Sequence, residues 1–347
     1  MSPVTDPSVT LVDGFVPVID LATAQGPSSR RLAAARTLGQ VCATSGFFAV
    51  VNHGVPAATT AALQRATRAF FGLPTEQKEA LLVDPIDPLM RGYGRETEPA
   101  IQREQGPGGS QLETFVINRL GEPLPAPLRP ANGDEALCTA NRWPALPGFR
   151  EAFLAYFAES ERLAAQIMGL FALALDLPED WFEDKFAAHA TSMAANRYPG
   201  QPGRPAKDQL RKGEHTDWGT LTILLKDETD AGLQVLDRDR RWVNVPSVPG
   251  SLVVNIGDLM AQWTNGRWAS TVHRVVHTGD DTGHDDRYSV AFFHQPSYDA
   301  LIECIPSCVT EQHPARHAPA TFGDYLTAKM RRAYLHRRIA ENLRAPR

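Results

Sequence analysis

Between about residues 190 and 295 the chain breaks into short apolar or alternating runs. They cover 191–198, 220–225, 232–236, 241–245, 251–256, 271–277 and 287–294, with turn residues such as Pro249-Gly250, Asn265-Gly266 and Gly279-Asp280 between them. An amphipathic helix needs apolar positions three and four apart over ten or more residues, and runs this brief do not supply them. Many short strands closed off by turns predict an antiparallel sandwich or barrel.

The first half reads differently. Phe15–Asp20 (FVPVID) looks like a short strand and Phe47–Val51 (FFAVV) like a buried one, opened by Gly46 at the end of a helix. That helix covers 29–45, with Leu32, Ala35, Leu38 and Val41 at helical spacing. A turn, His53–Pro56, leads to a helix at about 57–71, and another starts near Thr75. Residues 84–111 are rich in Pro and Gly and read as a long irregular segment, the kind that serves as a lid. A long helix over about 148–175 carries an apolar stripe of Phe149, Phe153, Tyr156, Leu163, Ile167, Leu170 and Ala174, and 322–343 is helical again. The expected organisation is one domain over 1–347: a helix-rich part to about 185, a strand-rich core at about 186–300 and a C-terminal helix at about 320–345.

Composition bounds the function. A formal charge of −5 argues against a nucleic-acid-binding face. No stretch reaches the roughly 20 apolar residues of a membrane helix. The N-terminus lacks the basic and apolar regions of a secretory signal. Cys42, Cys138, Cys304 and Cys308 are scattered like buried thiols of a reducing, cytoplasmic protein. Cys304 and Cys308 lack a second ligand pair for zinc.

One short stretch carries chemistry: Gly213–Gly219 (GEHTDWG). In extended backbone, residues two apart face the same way, so His215 and Asp217 can hold one ion together. His273, in the strand-like run Ser270–Val275, is the best third ligand. Two imidazoles and a carboxylate suit Fe(II) and leave coordination positions open, as an oxygenase needs for O₂. A His-x-Asp spacing alone also occurs in surface turns. The same two-residue spacing pairs Arg287 with Ser289, a guanidinium fork and a hydroxyl fit to receive a carboxylate. It also pairs Asn196 with Tyr198. Each pair has a plain alternative, a surface ion pair or a half-buried core residue.

These blocks occur in a fixed order. After Phe15–Asp20 comes Ser45–Pro56 (SGFFAVVNHGVP), then Asn196–Pro199 (NRYP) and His215–Leu225 (HTDWGTLTILL). Gly232–Val235, Trp242–Pro246, Val253–Asp258 (VVNIGD), Thr264–Gly266, Ser270–Val275 (STVHRV) and Arg287–Ser289 follow. As a series they resemble the isopenicillin N synthase-like family of iron(II)- and 2-oxoglutarate-dependent dioxygenases, over nearly the whole chain.

The resemblance implies a mixed α and β fold with a β core, a double-stranded β-helix or jelly roll with flanking helices. It implies that His215, Asp217 and His273 bind iron. It implies that Arg287 and Ser289 hold the distal carboxylate of 2-oxoglutarate, with Tyr198 and Asn196 assisting. A small molecule would be oxidised with O₂, by hydroxylation, desaturation or cyclisation, as the co-substrate leaves as succinate and CO₂. The rival on the same fold is an iron oxidase that does not use 2-oxoglutarate; a non-catalytic jelly roll is a third reading. Trp218 departs from the family, which commonly has a smaller or phenolic side chain there. For substrate, the candidates are Arg91, Tyr93 and Phe115 from the irregular front segment, and Phe292 and His294 beyond the carboxylate clamp. His294 would need a bulge to turn inward; an arginine placed like Arg91 is more often a solvated loop charge.

Overall fold

The computed structural model describes residues 9–12, 14–84, 87–96, 112–123, 137–200, 210–227, 232–277 and 286–332. The front half supplies strands β1 (Thr10–Val12), β2 (Val18–Asp20) and β3 (Phe47–Val51), and helices α1 (Ser28–Thr44), α2 (Ala57–Phe71) and α3 (Thr75–Glu79). Then come β4 (Gly92–Glu96), β5 (Leu112–Asn118) and the long helix α4 (Phe149–Ala174). The strand-rich half holds β6 (Ser192–Tyr198), β7 (Leu210–His215), β8 (Leu221–Lys226), β9 (Leu233–Leu236), β10 (Trp242–Asn244) and β11 (Leu252–Ile256). A short helix α5 (Asp258–Trp263) precedes β12 (His273–Val276) and β13 (Arg287–His294). A small hairpin of β14 (Leu301–Ile302) and β15 (Ala320–Thr321) leads to a helix at 322–332.

Two sheets face each other. The larger runs β1-β2-β3-β11-β8-β13-β6-β5-β4, the smaller β10-β9-β12-β7. From β6 onward the chain alternates between them: β6, β8, β11 and β13 enter the large sheet, while β7, the β9–β10 hairpin and β12 enter the small one. That winding is a double-stranded β-helix. The front half extends it: β3 pairs with β11 on one side, and β5 pairs with β6 on the other.

Burial follows from this layering. Between the sheets lie Phe47, Leu233, Val235, Val245, Val253 and Val275, with Leu224 packed against them. The opposite face of the large sheet is covered by helices, and Phe48, Phe115, Ile223, Val290 and Phe292 join the α2 and α4 side chains Phe70, Phe153 and Phe157 in the main core. The α4 stripe is buried as its periodicity requires, except Ala174, which is partly exposed. On α1, Leu32 is exposed; Ala34, Ala35, Leu38, Val41 and Cys42 form the buried face.

Two expectations need correction. The segment 84–111 contains a strand, β4, paired along its length with β5. Its lid reading falls largely on 97–111, outside the described residues. The four cysteines are free thiols, but only Cys42 and Cys308 are buried; Cys138 is exposed. Among the described residues no helix is long and apolar enough to cross a membrane.

Candidate active site

β7 and β12 are neighbours in the small sheet, and their register sets His215 directly opposite His273. Asp217 follows β7 by two residues. The two Nε2 atoms lie 3.9 Å and 3.8 Å from Asp217 Oδ1. All three donor atoms fall within 4.8 Å of one another, close enough for one ion to touch them all.

Each donor atom faces the centre because the other polar atom of its side chain is occupied. His215 Nδ1 is 2.7 Å from the Gly213 carbonyl and His273 Nδ1 is 3.1 Å from that of Thr271. A ring nitrogen meeting a carbonyl must carry the proton, so Nε2 keeps its lone pair. Asp217 Oδ2 accepts from Thr222 Oγ1 at 2.6 Å and from Asn255 Nδ2 at 2.8 Å. The Phe47 ring meets the His273 ring edge-on, with centroids 5.1 Å apart.

The electrostatics favour the metal-ready state. Burial pushes the His215 imidazolium pKa well below its usual range, and neighbouring His273 pushes the same way. Burial also lowers His273. For Asp217, burial acts upward, but the two histidines and the hydrogen bonds from Thr222 and Asn255 outweigh it and hold the carboxyl at about 2. Near neutral pH the set is therefore two neutral imidazoles and one carboxylate, the forms that bind a metal ion.

A second polar group lies on the large sheet. β13 and β6 run antiparallel with Arg287 opposite Tyr198 and Ser289 opposite Asn196. Opposed residues and residues two apart share a face. Ala291 lies two residues beyond Ser289, opposite Leu224, which in turn lies opposite Val253 in the inter-sheet core. All four polar side chains therefore face the interior of the sandwich, at 7%, 4%, 4% and 5% exposure for Arg287, Ser289, Tyr198 and Asn196. The Arg287 guanidinium lies over the Tyr198 ring, 4.6 Å from its centroid. Along the same face β13 continues to Phe293, opposite Thr222 and so beside Asp217's hydrogen-bond partners.

Comparison with known proteins bears on this geometry. Residues 190–296 match the 2OG-Fe(II) oxygenase superfamily, and residues 16–145 match the family described as non-haem dioxygenase in morphine synthesis N-terminal. A validamycin A dioxygenase of Streptomyces hygroscopicus subsp. limoneus is 36% identical over 305 residues, spanning 84% of this chain and 80% of that one. The 2-oxoglutarate-Fe(II) type oxidoreductase hxnY of Emericella nidulans is 31% identical over 328 residues, spanning 92% and 90%. The chain belongs to the 2OG-Fe(II) oxygenase superfamily. The crystal structure of a full-length Neurospora crassa protein in complex with alpha-KG and thymine superposes on this oxygenase with a TM-score of 0.80 at 26% identity, covering 94% of this chain and 100% of that one. The present chain is thus a jelly-roll dioxygenase dependent on non-haem iron, 2-oxoglutarate and O₂. The two imidazoles and one carboxylate fit iron(II): three donors converge and the remaining polar atoms are satisfied within the protein.

The oxygenase does not bring the five expected substrate contacts to this cluster. Phe292 and His294 stay on the helix-covered face because β13 pairs without a bulge. Phe292 packs edge-on against Phe157 of α4, and His294 stacks on Phe186 at 4.2 Å with its Nδ1 3.2 Å from Thr220 Oγ1. Tyr93 and Phe115 face each other across β4 and β5 on the same helix-covered side, around Phe70. Arg91 is no solvated charge: it pairs with Asp87 and donates to the carbonyls of Leu137 and Thr139. Tyr93, Phe115 and Phe292 belong to the hydrophobic core, so a place in the front segment or beyond the clamp did not bring them to the cluster. Residues not singled out from sequence are Thr222, Asn255 and Phe293. All three sit inside recognisable strand runs, but only cross-strand register shows that they share one row beside Asp217.

Proposed function

We propose that His215, Asp217 and His273 are the iron ligands of this dioxygenase, and that Arg287 and Ser289, with Tyr198 and Asn196, hold the distal carboxylate of 2-oxoglutarate. One observation carries the ligand assignment: every polar atom of the three side chains that does not face the common centre already has a protein partner. The clamp reading rests on four buried polar side chains on one inner face, a costly arrangement unless a ligand or a network uses it. Iron(II) with 2-oxoglutarate and O₂ supplies the oxidising power, releasing succinate and CO₂ as substrate is oxidised. The chain's own residues hold and orient. Gly213 and Thr271 fix the imidazole tautomers, and Thr222 and Asn255 turn Asp217. Tyr198 supports the Arg287 fork from its ring face. Between clamp and ligands the inner face is low, because Ala291 and Ala194 oppose each other there. A short linear dicarboxylate can lie over that floor.

We infer that the primary substrate is a small organic molecule, since the relatives covering most of this chain include proteins named for or bound to validamycin A and thymine. A reducing cytoplasmic setting fits the four free thiols. The whole chain reads as one oxygenase domain, because β2–β3 and β4–β5 extend both edges of the large jelly-roll sheet.

The test joins metal content to co-substrate binding. Wild-type protein should bind one iron(II) per chain and develop a charge-transfer absorption band when 2-oxoglutarate is added without O₂. Folded His273→Ala should lose both. A His273→Ala protein with full iron content and turnover would end the ligand assignment. O₂ uptake independent of 2-oxoglutarate would return the oxidase rival.

A further inference from the structure

Both ligand-bearing segments of the site converge on one acidic residue outside it. Asp258 opens α5, straight after β11. Its backbone N–H donates to the Asp217 carbonyl at 2.7 Å. Its Oδ2 accepts from Thr216 Oγ1 at 3.2 Å, the residue between His215 and Asp217. Its Oδ1 accepts from Ser270 Oγ at 2.6 Å, three residues before His273. A fourth partner comes from the helix at 322–332, where Lys329 Nζ donates to Oδ2. Four residues earlier on that helix, the Tyr325 hydroxyl donates to the Trp218 carbonyl at 2.9 Å.

The packing there leaves little slack. The N–H groups of Gly257 and Leu259 donate to carbonyls of 218–220. A Cβ at Gly257 would stand 2.2 Å from the Gly219 carbonyl oxygen. The turn carrying Asp217 therefore rests directly on the start of α5.

We propose that Asp258 is a positioning residue for the iron site, yoking the His215–Asp217 turn to the segment before His273, and that Lys329 braces it from the C-terminal helix. Thr216 and Ser270 are far apart in sequence, and the Asp258 carboxylate is the group that both hydroxyls meet. The yoke fixes the separation between the two halves of the ligand set. Lys329 holds the yoke and so ties the C-terminal helix to the metal. The inference rests on His215, Asp217 and His273 being the metal ligands.

The bland alternative is that Asp258 is only a favourable charge in the first turn of α5. Asp258→Glu separates the two, because it keeps the charge and moves the carboxylate by one methylene. Cobalt(II) alone, added to the metal-free full-length protein, serves as the probe. Its visible absorption reports ligand geometry, and titration gives Kd. Asp258→Glu and Asp258→Asn should each raise the cobalt Kd roughly tenfold or more, in line with the 10–100-fold usual for groups that orient metal ligands, and shift the visible bands. Ser270→Ala and Lys329→Met should act in the same direction but less, and Lys329→Arg should recover most of the affinity. If the Asp258 variants fail to fold, Ser270→Ala and Lys329→Met decide. A cobalt Kd within twofold of wild type and unshifted bands in the folded variants would overturn the proposal. Wild type and His273→Ala run alongside: failure of wild type to bind cobalt, or tight binding by His273→Ala, would bring down the ligand assignment itself.

Discussion

Asp217 has two carboxylate oxygens, and the fold gives them different work. Oδ2 is held by Thr222 and Asn255, and Oδ1 is turned to the histidines. Thr222→Val keeps the shape and removes one donor. Metal affinity should fall about 10- to 100-fold, measurable by manganese(II) titration, and the metal-free protein should also lose about 1.5–3 kcal/mol of stability, because a buried carboxylate loses a donor. Arg287 offers a second test at this scale. A charge-assisted contact contributes about 1.5–3 kcal/mol, which corresponds to roughly a tenfold to hundredfold change. Arg287→Ala should raise the KM for 2-oxoglutarate by that factor without loss of iron. Arg287→Lys should recover only part, since an ammonium lacks the planar fork.

Strand alternation divides β13 between two duties. Arg287, Ser289, Ala291 and Phe293 face the inside of the sandwich; Tyr288, Val290, Phe292 and His294 face the helices. Two substitutions one residue apart should therefore fail in different ways. Ala291→Leu would raise the floor between clamp and iron. It should increase the 2-oxoglutarate KM at least tenfold, with iron content retained. Phe292→Ala would open a cavity against Phe157, costing about 3–5 kcal/mol, yet the folded protein should keep its KM. Thermal melts and steady-state kinetics on the pair check both. Equal KM values for Ala291→Leu and wild type would show that the co-substrate does not lie along this strand.

Across the whole molecule, a buried ion network ties the front half to the jelly roll. Glu113 on β5 accepts from Lys78 of α3 at 2.7 Å and from Tyr93 of β4, and pairs with Arg197 of β6, which also reaches Asp286. Burial acts to raise the Glu113 pKa, but Lys78, Tyr93 and Arg197 outweigh it, so the carboxyl sits below its ordinary value. A depressed folded-state pKa gives stability that is fully present above the unfolded value, about 4.3 for Glu. That stability is lost as pH falls through the folded value. Glu113→Gln should lower Tm at pH 7 by several degrees, since it leaves Lys78 buried beside a neutral amide. Its loss of stability below about pH 4.3 should be shallower than that of wild type. Parallel acid-denaturation curves for the two proteins would contradict this linkage.

Sequence by itself determined most of the strand-rich half. The short runs and their turns are local properties, and all seven runs became strands within a residue or two at each end, while β7 (Leu210–His215) was not among them. It also determined that His215 and Asp217 share a side, because two-residue spacing needs nothing beyond extended backbone. Family order supplied His273, Arg287, Ser289, Asn196 and Tyr198 as a set. Their meeting was decided by tertiary structure: β7 lies beside β12, and β13 beside β6, only once both sheets have formed. Tertiary structure also decided against Phe292 and His294, whose inward turn required a bulge that unbroken pairing with β6 and β8 does not permit. Arg91 is held by Asp87 and the Leu137 carbonyl, and Tyr93 and Phe115 misled through the choice of sheet face. A residue's type and neighbours do not say which face of a sheet it will join, and here the helices α2 and α4 claimed the face that Tyr93 and Phe115 occupy. The yoke formed by Asp258, with partners at 216, 217, 270 and 329, has no local signature at all, because what it joins is far apart along the chain and adjacent only in the fold.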